Sequence, residues 1–118
     1  MVFGYAGVVK HGSDVLLTRI RGKNEWTIPV CFVESEDDGI PEFEKFLMEE
    51  TGIQAVFVRK GAILMNKEGE RHLTGFFASS GRGILKNERI EAEWFRTNHL
   101  PDDVSDFAIS VLEAFHLC

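Results

Sequence analysis

The spacing of apolar residues changes period several times along the chain. Residues 3–10 (FGYAGVVK) and 14–20 (DVLLTRI) are β-branched and apolar runs joined by His11-Gly12-Ser13, which predicts a β-hairpin. A short strand is expected around Trp26-Thr27-Ile28, ending at Pro29, with an acidic loop over 34–40 after it. Asp38-Gly39-Ile40-Pro41 then marks a helix start, because proline's missing N–H costs nothing in the first turn and Asp38 can cap it. The helix should run over about 41–51, and Gly52 supplies the left-handed residue that stops it. Within it Phe43, Phe46, Leu47 and Glu50 follow 3/4 spacing and share one broad face, with Glu42, Glu44 and Glu49 around the rest.

Residues 53–64 are rich in strand formers, and Asn66-Lys67-Glu68-Gly69 is a turn signal. Another strand is expected over 72–78, a loop over 79–83 and a short strand over 91–96. Phe76 and Phe77 are neighbours on one strand and must face opposite sides, so one faces the core and Phe77 is a candidate to line a pocket and stack on a base. Val104, Phe107, Ala108, Val111, Leu112 and Phe115 recur at helical spacing, which predicts an amphipathic terminal helix over about 103–116. The order of strands, one inner helix, more strands and a last helix fits an α/β (α+β) domain with a mixed β-sheet sandwiched between the two helices.

The length of 118 residues suits one domain over 1–118, and 44% hydrophobic with 27% charged residues is a globular balance. No apolar run approaches the roughly 20 residues needed to span a bilayer. The N-terminal MVFGYAGVVK has no basic stretch before an apolar one, so it reads as mature sequence without a secretory signal. Cys31 and Cys118 make neither a disulfide framework nor a zinc pattern, and reduced thiols in a cytoplasmic protein are the expectation. Cys31 has no cationic neighbour in sequence and reads as a small packed hydrophobe. His11, His72, His99 and His116 show no ligand spacing and read as structural or surface residues.

The net charge of −6 is concentrated. Residues 34–50 carry eight acids (Glu34, Glu36, Asp37, Asp38, Glu42, Glu44, Glu49, Glu50) against Lys45, and the rest of the chain is almost balanced. Charge alone favours a solvated acidic surface; the alternative is a cation site. Such a segment repels phosphates, so no nucleic-acid surface is evident there. Arg19, Arg21 and Lys23 form a small basic patch that suits either phosphate contact or solvated loop charge.

Glu49-Glu50-Thr51-Gly52-Ile53 is where pattern becomes specific. With Leu47 it resembles the end of the Nudix box, which that family writes G-x5-E-x7-R-E-U-x-E-E-x-G-U, with U aliphatic. The lead-in is similar too: Val15-Leu16-Leu17 with Arg19, Trp26-Thr27-Ile28-Pro29 and Val33-Glu34 stand where the family has V-L-L-x-x-R, W-x-L-P and V-E. Glu93-Trp94-Phe95 and Leu100-Pro101 resemble its E-W-F and L-P elements. The resemblance spans nearly the whole chain. It implies the MutT-like fold and Mg²⁺- or Mn²⁺-dependent hydrolysis of nucleoside diphosphate-linked compounds. It implies metal contact at Glu49 and Glu50, assisted by Asp37 and Glu34. It makes Glu49, Glu50 and Glu93 the catalytic candidates, and Arg19, Arg21 and Phe77 the candidates for substrate. A nucleotide-type small molecule is the implied partner, no membrane is involved, and homodimerisation is common in the family although no feature here demands it.

The chain also departs from the pattern. The first glutamate of R-E-U-x-E-E is Phe46, the arginine is Lys45, the upstream glutamate is Asp37, and the glycine pair after the proline is Val30-Cys31. A phenyl ring offers a metal no lone pair and accepts no proton. Lys45 keeps the charge but not the planar fork. Valine resists positive φ, so the loop at Val30 either differs in conformation or never required glycine. Two functions follow from this: a divergent pyrophosphohydrolase with weak or lost activity, or a non-catalytic nucleotide-binding or protein-interaction module on the same fold.

Overall fold

In a computed structural model that describes residues 3–34, 39–79, 85 and 89–117, the chain forms β1 (Phe3–His11), β2 (Asp14–Ile20), β3 (Val30–Val33), α1 (Gly39–Thr51), β4 (Ala55–Met65), β5 (Arg71–Ser79), β6 (Ile90–Arg96) and α2 (Asp106–Ala114). The strands make one six-stranded mixed sheet in the order β4-β5-β1-β2-β6, with β3 also beside β1. β1 is the hub. It pairs parallel with β5 from Gly4↔His72 to Lys10↔Ala78. Its other edge is divided: the first half takes β3 antiparallel, from Phe3↔Val33 to Ala6↔Val30, and its end takes β2 at Lys10↔Val15 and His11↔Asp14. β2 and β3 therefore diverge from a common neighbour.

Alternation along the central strands feeds two cores, one on each face of the sheet. Ala6, Val8, Val15 and Leu17 pack with Trp26, Ile28 and the α2 residues Ala108, Val111 and Leu112. Val9, Leu16, Phe77 and Ala92 pack with Phe43 and Leu47 of α1. The expected sandwich is present.

α1 is seated by an aromatic stack. Phe43 is fully buried, and its ring lies against Phe77 with centroids 4.7 Å apart. A Cβ at Gly7 of β1 would stand 2.6 Å from Phe43, so only glycine lets the helix approach this closely. The helix ends as its sequence predicts. Gly52 adopts φ 78°, and its amide donates to the carbonyls of Leu47 and Met48, each at 3.1 Å. The buried Thr51 hydroxyl donates to the Leu47 carbonyl at 2.6 Å. The start lies at Gly39, two residues before the expected position, and the expected cap Asp38 falls outside the described residues.

Two boundaries differ from expectation. The strand expected at 26–28 lies at Val30–Val33 instead. Pro29 has no N–H to donate, yet its carbonyl accepts from the Gly7 amide at 3.1 Å, so the ladder with β1 begins at the proline rather than ending there. Trp26 and Thr27 make only isolated bridges, to Val104 and Thr18. The last helix begins at Asp106 and ends at Ala114, shorter than the expected 103–116. Its start is delayed because the backbone on either side of Val104 is taken by Trp26: the Trp26 amide donates to Asp103 O at 2.6 Å, and the Ser105 amide donates to Trp26 O at 2.8 Å. Ser105 then caps the helix, its hydroxyl accepting from the Ala108 amide at 3.0 Å. At the other end His116 turns to φ 59°.

Candidate functional site

The divergence of β2 from β3 opens a cleft of about 730 Å³. Thr18 and Thr27 line one side of the split, and Val30, Cys31 and Phe32 line the other. α1 forms a wall through Glu42, Lys45, Phe46, Glu49 and Glu50, and Arg89 and Ile90 close the end where β6 begins. Glu49, Glu50 and Arg19 are thus brought to one concave surface.

Val30 and Cys31, where the resembling pattern carries glycines, are ordinary extended residues of β3 paired with Ala6 and Tyr5. Among the described residues His116 is the only non-glycine with positive φ, so this loop never required glycine. Cys31 is a buried free cysteine in the α1-side core. Burial, with the Glu42 carboxylate adding, pushes its thiol up to about 12. A thiol held neutral in this way is a packing group and not a nucleophile.

Phe46 lies half-buried at the edge of the core, its ring 6.1 Å from that of Phe43, and its outer part faces the cleft. Glu49 and Glu50 stand one turn further along. Each has a cation: Lys45 Nζ lies 4.0 Å from Glu49 Oε1, and an Arg89 guanidinium N–H donates to Glu50 Oε1. The Glu50 side chain is 27% exposed and that of Arg89 is 69% exposed, so the carboxylate lies beneath its guanidinium.

The other candidates are not gathered here. Glu93 is exposed, and its neighbours Ala92 and Trp94 both face α1, so the two-residue period of β6 aims Glu93 at the opposite face. That corrects the expectation that it backs up the α1 glutamates. Phe77 is 1% exposed, with Phe43 on one side and Phe57 5.5 Å away on another. It is core rather than a stacking platform, and its sequence neighbour Phe76 packs on the α2 side. Arg21 lies past the end of β2 outside the cleft lining, whereas Lys23 is part of that lining. Glu34 is exposed at the end of β3 and lies outside the lining, and Asp37 lies outside the described residues. Arg19 reaches the cleft but is already engaged. It bonds to its cross-strand partner Glu91 at 3.3 Å and lies 4.4 Å over the Trp26 ring.

The box pattern implies a divalent cation held by carboxylates. Among the described residues no three of His, Cys, Asp and Glu come together in a way that holds a metal ion. Hard cations require several oxygen ligands, and here a phenyl ring stands at the first box glutamate while Glu49 and Glu50 are ion-paired. These residues do not fit Mg²⁺ or Mn²⁺.

Arg89 is the residue that sequence reasoning missed. Its partner Glu50 is 39 positions away, and no local pattern links them. Only the alignment of β6 on β2, which places Ile90 opposite Ile20, brings Arg89 over the helix.

No protein-family model matches the chain, and no curated protein matches it. Solved structures do match. The chain superposes on a UDP-X diphosphatase with a TM-score of 0.77 and 18% identity, covering 98% of this chain and 60% of that one. An ADP-ribose pyrophosphatase from Streptococcus suis 89-1591 gives 0.76 at 17% identity, covering 99% and 88%. A MutT Nudix hydrolase from Burkholderia pseudomallei gives 0.66 at 17% identity, covering 95% of each chain. The fold is therefore the Nudix fold, a mixed sheet between two helices. The chain spans less than two thirds of the diphosphatase's length. No helix is long and apolar enough to cross a membrane among the described residues.

Proposed function

We propose that the cleft between α1 and the β2–β3 split binds a nucleotide-type small molecule carrying a diphosphate, and that metal-dependent hydrolysis of it is weak or lost. The single observation that carries this reading is Phe46: a half-buried phenyl ring on the cleft wall, one turn before Glu49 and Glu50, where the box pattern puts a glutamate. The fold it shares with pyrophosphatases supports the ligand class but not the chemistry, since function is set by the site. Four basic side chains in the lining (Arg19, Lys23, Lys45 and Arg89) give the cleft donors for phosphate oxygens. The buried free thiol of Cys31 agrees with work in a reducing cytoplasm.

The active-hydrolase reading keeps one observation in its favour: Glu49 and Glu50 do line the cleft. The two separate in one assay. Nucleoside triphosphates, dinucleotides and nucleotide sugars are offered with Mg²⁺ and with Mn²⁺, and binding and turnover are both recorded. Binding with little or no product is the expected result. Turnover that disappears in Glu49→Gln establishes the hydrolase instead.

A further inference from the structure

A diphosphate entering the cleft needs positive partners, and a Nudix box supplies them as metal ions held by carboxylates. Here the same carboxylates hold side-chain cations. We propose that Arg89, held in place by Glu50, receives the ligand's phosphate directly, so that the cleft takes a nucleoside diphosphate without a divalent cation. This rests on the cleft being a nucleotide site.

The geometry gives Glu50 a positioning role. Its carboxylate is largely covered and accepts from a terminal nitrogen of Arg89, whose own side chain is mostly exposed toward the cleft. A guanidinium has five N–H donors in a rigid fork, so one contact to Glu50 leaves others to meet phosphate oxygens. The Arg89 backbone is fixed as well: its carbonyl accepts from the Arg21 amide at 3.0 Å, immediately before the Ile20↔Ile90 pair of the ladder. Lys45 repeats the arrangement more loosely with Glu49 on the exposed side of α1. A divalent ion binding Glu50 would have to displace Arg89 and would find no third carboxylate at Phe46.

The test is calorimetric titration of ADP into the full chain, in EDTA and in Mg²⁺. The affinities in the two buffers should agree within about threefold. Arg89→Ala should weaken binding in EDTA by about tenfold or more, as expected for loss of a charge-assisted contact. Arg89→Lys should fall between the two, because an ammonium keeps the charge and loses the fork. Arg89 is an exposed side chain, and an unchanged thermal unfolding curve for each variant separates lost binding from lost folding. ADP binding that requires Mg²⁺ overturns this inference and leaves the nucleotide reading intact. So does an Arg89→Ala variant that binds ADP as before and Mn²⁺ more tightly, because Glu50 would then be a released metal ligand. No binding of ADP in either buffer overturns both.

Discussion

Phe43 and Phe46 are the same residue type three positions apart on one helix, and they do different work. Phe43 has no exposure, stacks on Phe77 and sits over Gly7. Phe46 touches the same core only at its rim and shows its outer part to the cleft. The first fixes where α1 lies on the sheet. The second decides what the helix can do once it is there. A change at the inner position should register as stability, and a change at the outer one should register mainly as binding.

The largest effect that separates them is therefore a pair of alanine substitutions. Phe43→Ala removes a fully buried ring from a site flanked by Phe77 and the Gly7 backbone, and should cost about 3–5 kcal/mol of unfolding free energy. Phe46→Ala removes a half-buried ring and should cost about 1 kcal/mol. Urea unfolding at equilibrium measures both. Equal losses would mean that Phe46 is an ordinary core residue and that the cleft wall has been misassigned.

A smaller effect sharpens the functional half of the contrast. Phe46→Glu places three carboxylates at positions 46, 49 and 50, which lie on one helical surface. Mn²⁺ affinity measured by calorimetry should rise by about tenfold or more over the parent chain, since each added carboxylate strengthens a hard-cation site. An unchanged affinity would mean that Lys45 and Arg89 hold Glu49 and Glu50 too firmly for a metal to recruit them.

The same contrast explains what the sequence made legible. Phe43, Leu47 and Gly52 obey local rules, 3/4 spacing and a left-handed stop, so the helix and its buried face could be read directly. The hairpin and the Asn66–Gly69 turn were legible for the same reason. The candidate site was legible in two places: Glu49 and Glu50 reach the cleft because they follow Phe46 on the helix, and Arg19 reaches it from β2. Arg89 depends on a strand pairing between β2 and β6 and on a partner 39 residues away, so no local window contains it. Glu93 lies off the cleft because alternation along a strand says that neighbours face opposite ways without saying which face holds the cleft, whereas Phe77 does face α1 but is covered by Phe43, a tertiary contact that alternation does not show. The start of α2 was misjudged because apolar Val104 fits the helical stripe, yet its backbone belongs to the bridge with Trp26.

The smallest expected effect lies on the α2 side of the sheet, at a buried group that is not part of the cleft lining. His72 is 1% exposed, with Phe32 and Phe107 against its ring at 5.6 and 4.9 Å. Asn66 Oδ1 accepts the amides of Glu68 and Glu70, which leaves its Nδ2 as a donor, 3.1 Å from His72 Nε2. That network assigns Nε2 as an acceptor and puts the ring proton on Nδ1. Burial holds the pKa of His72 below its ordinary 6.5, with the nearby Glu70 and Glu68 carboxylates opposing the shift. In the unfolded chain the ring titrates near 6.5, so as pH falls through that value the unfolded state binds the proton first. The contribution is fully present above pH 6.5 and is lost as the pH drops toward the lower folded value, with a slope no steeper than about 1.4 kcal/mol per pH unit. Urea midpoints at pH 7.5 and 5.5 should differ more for the parent chain than for His72→Gln, which keeps an acceptor for Asn66 and cannot charge. If the two proteins lose the same stability over that interval, a group other than His72 carries the acid sensitivity.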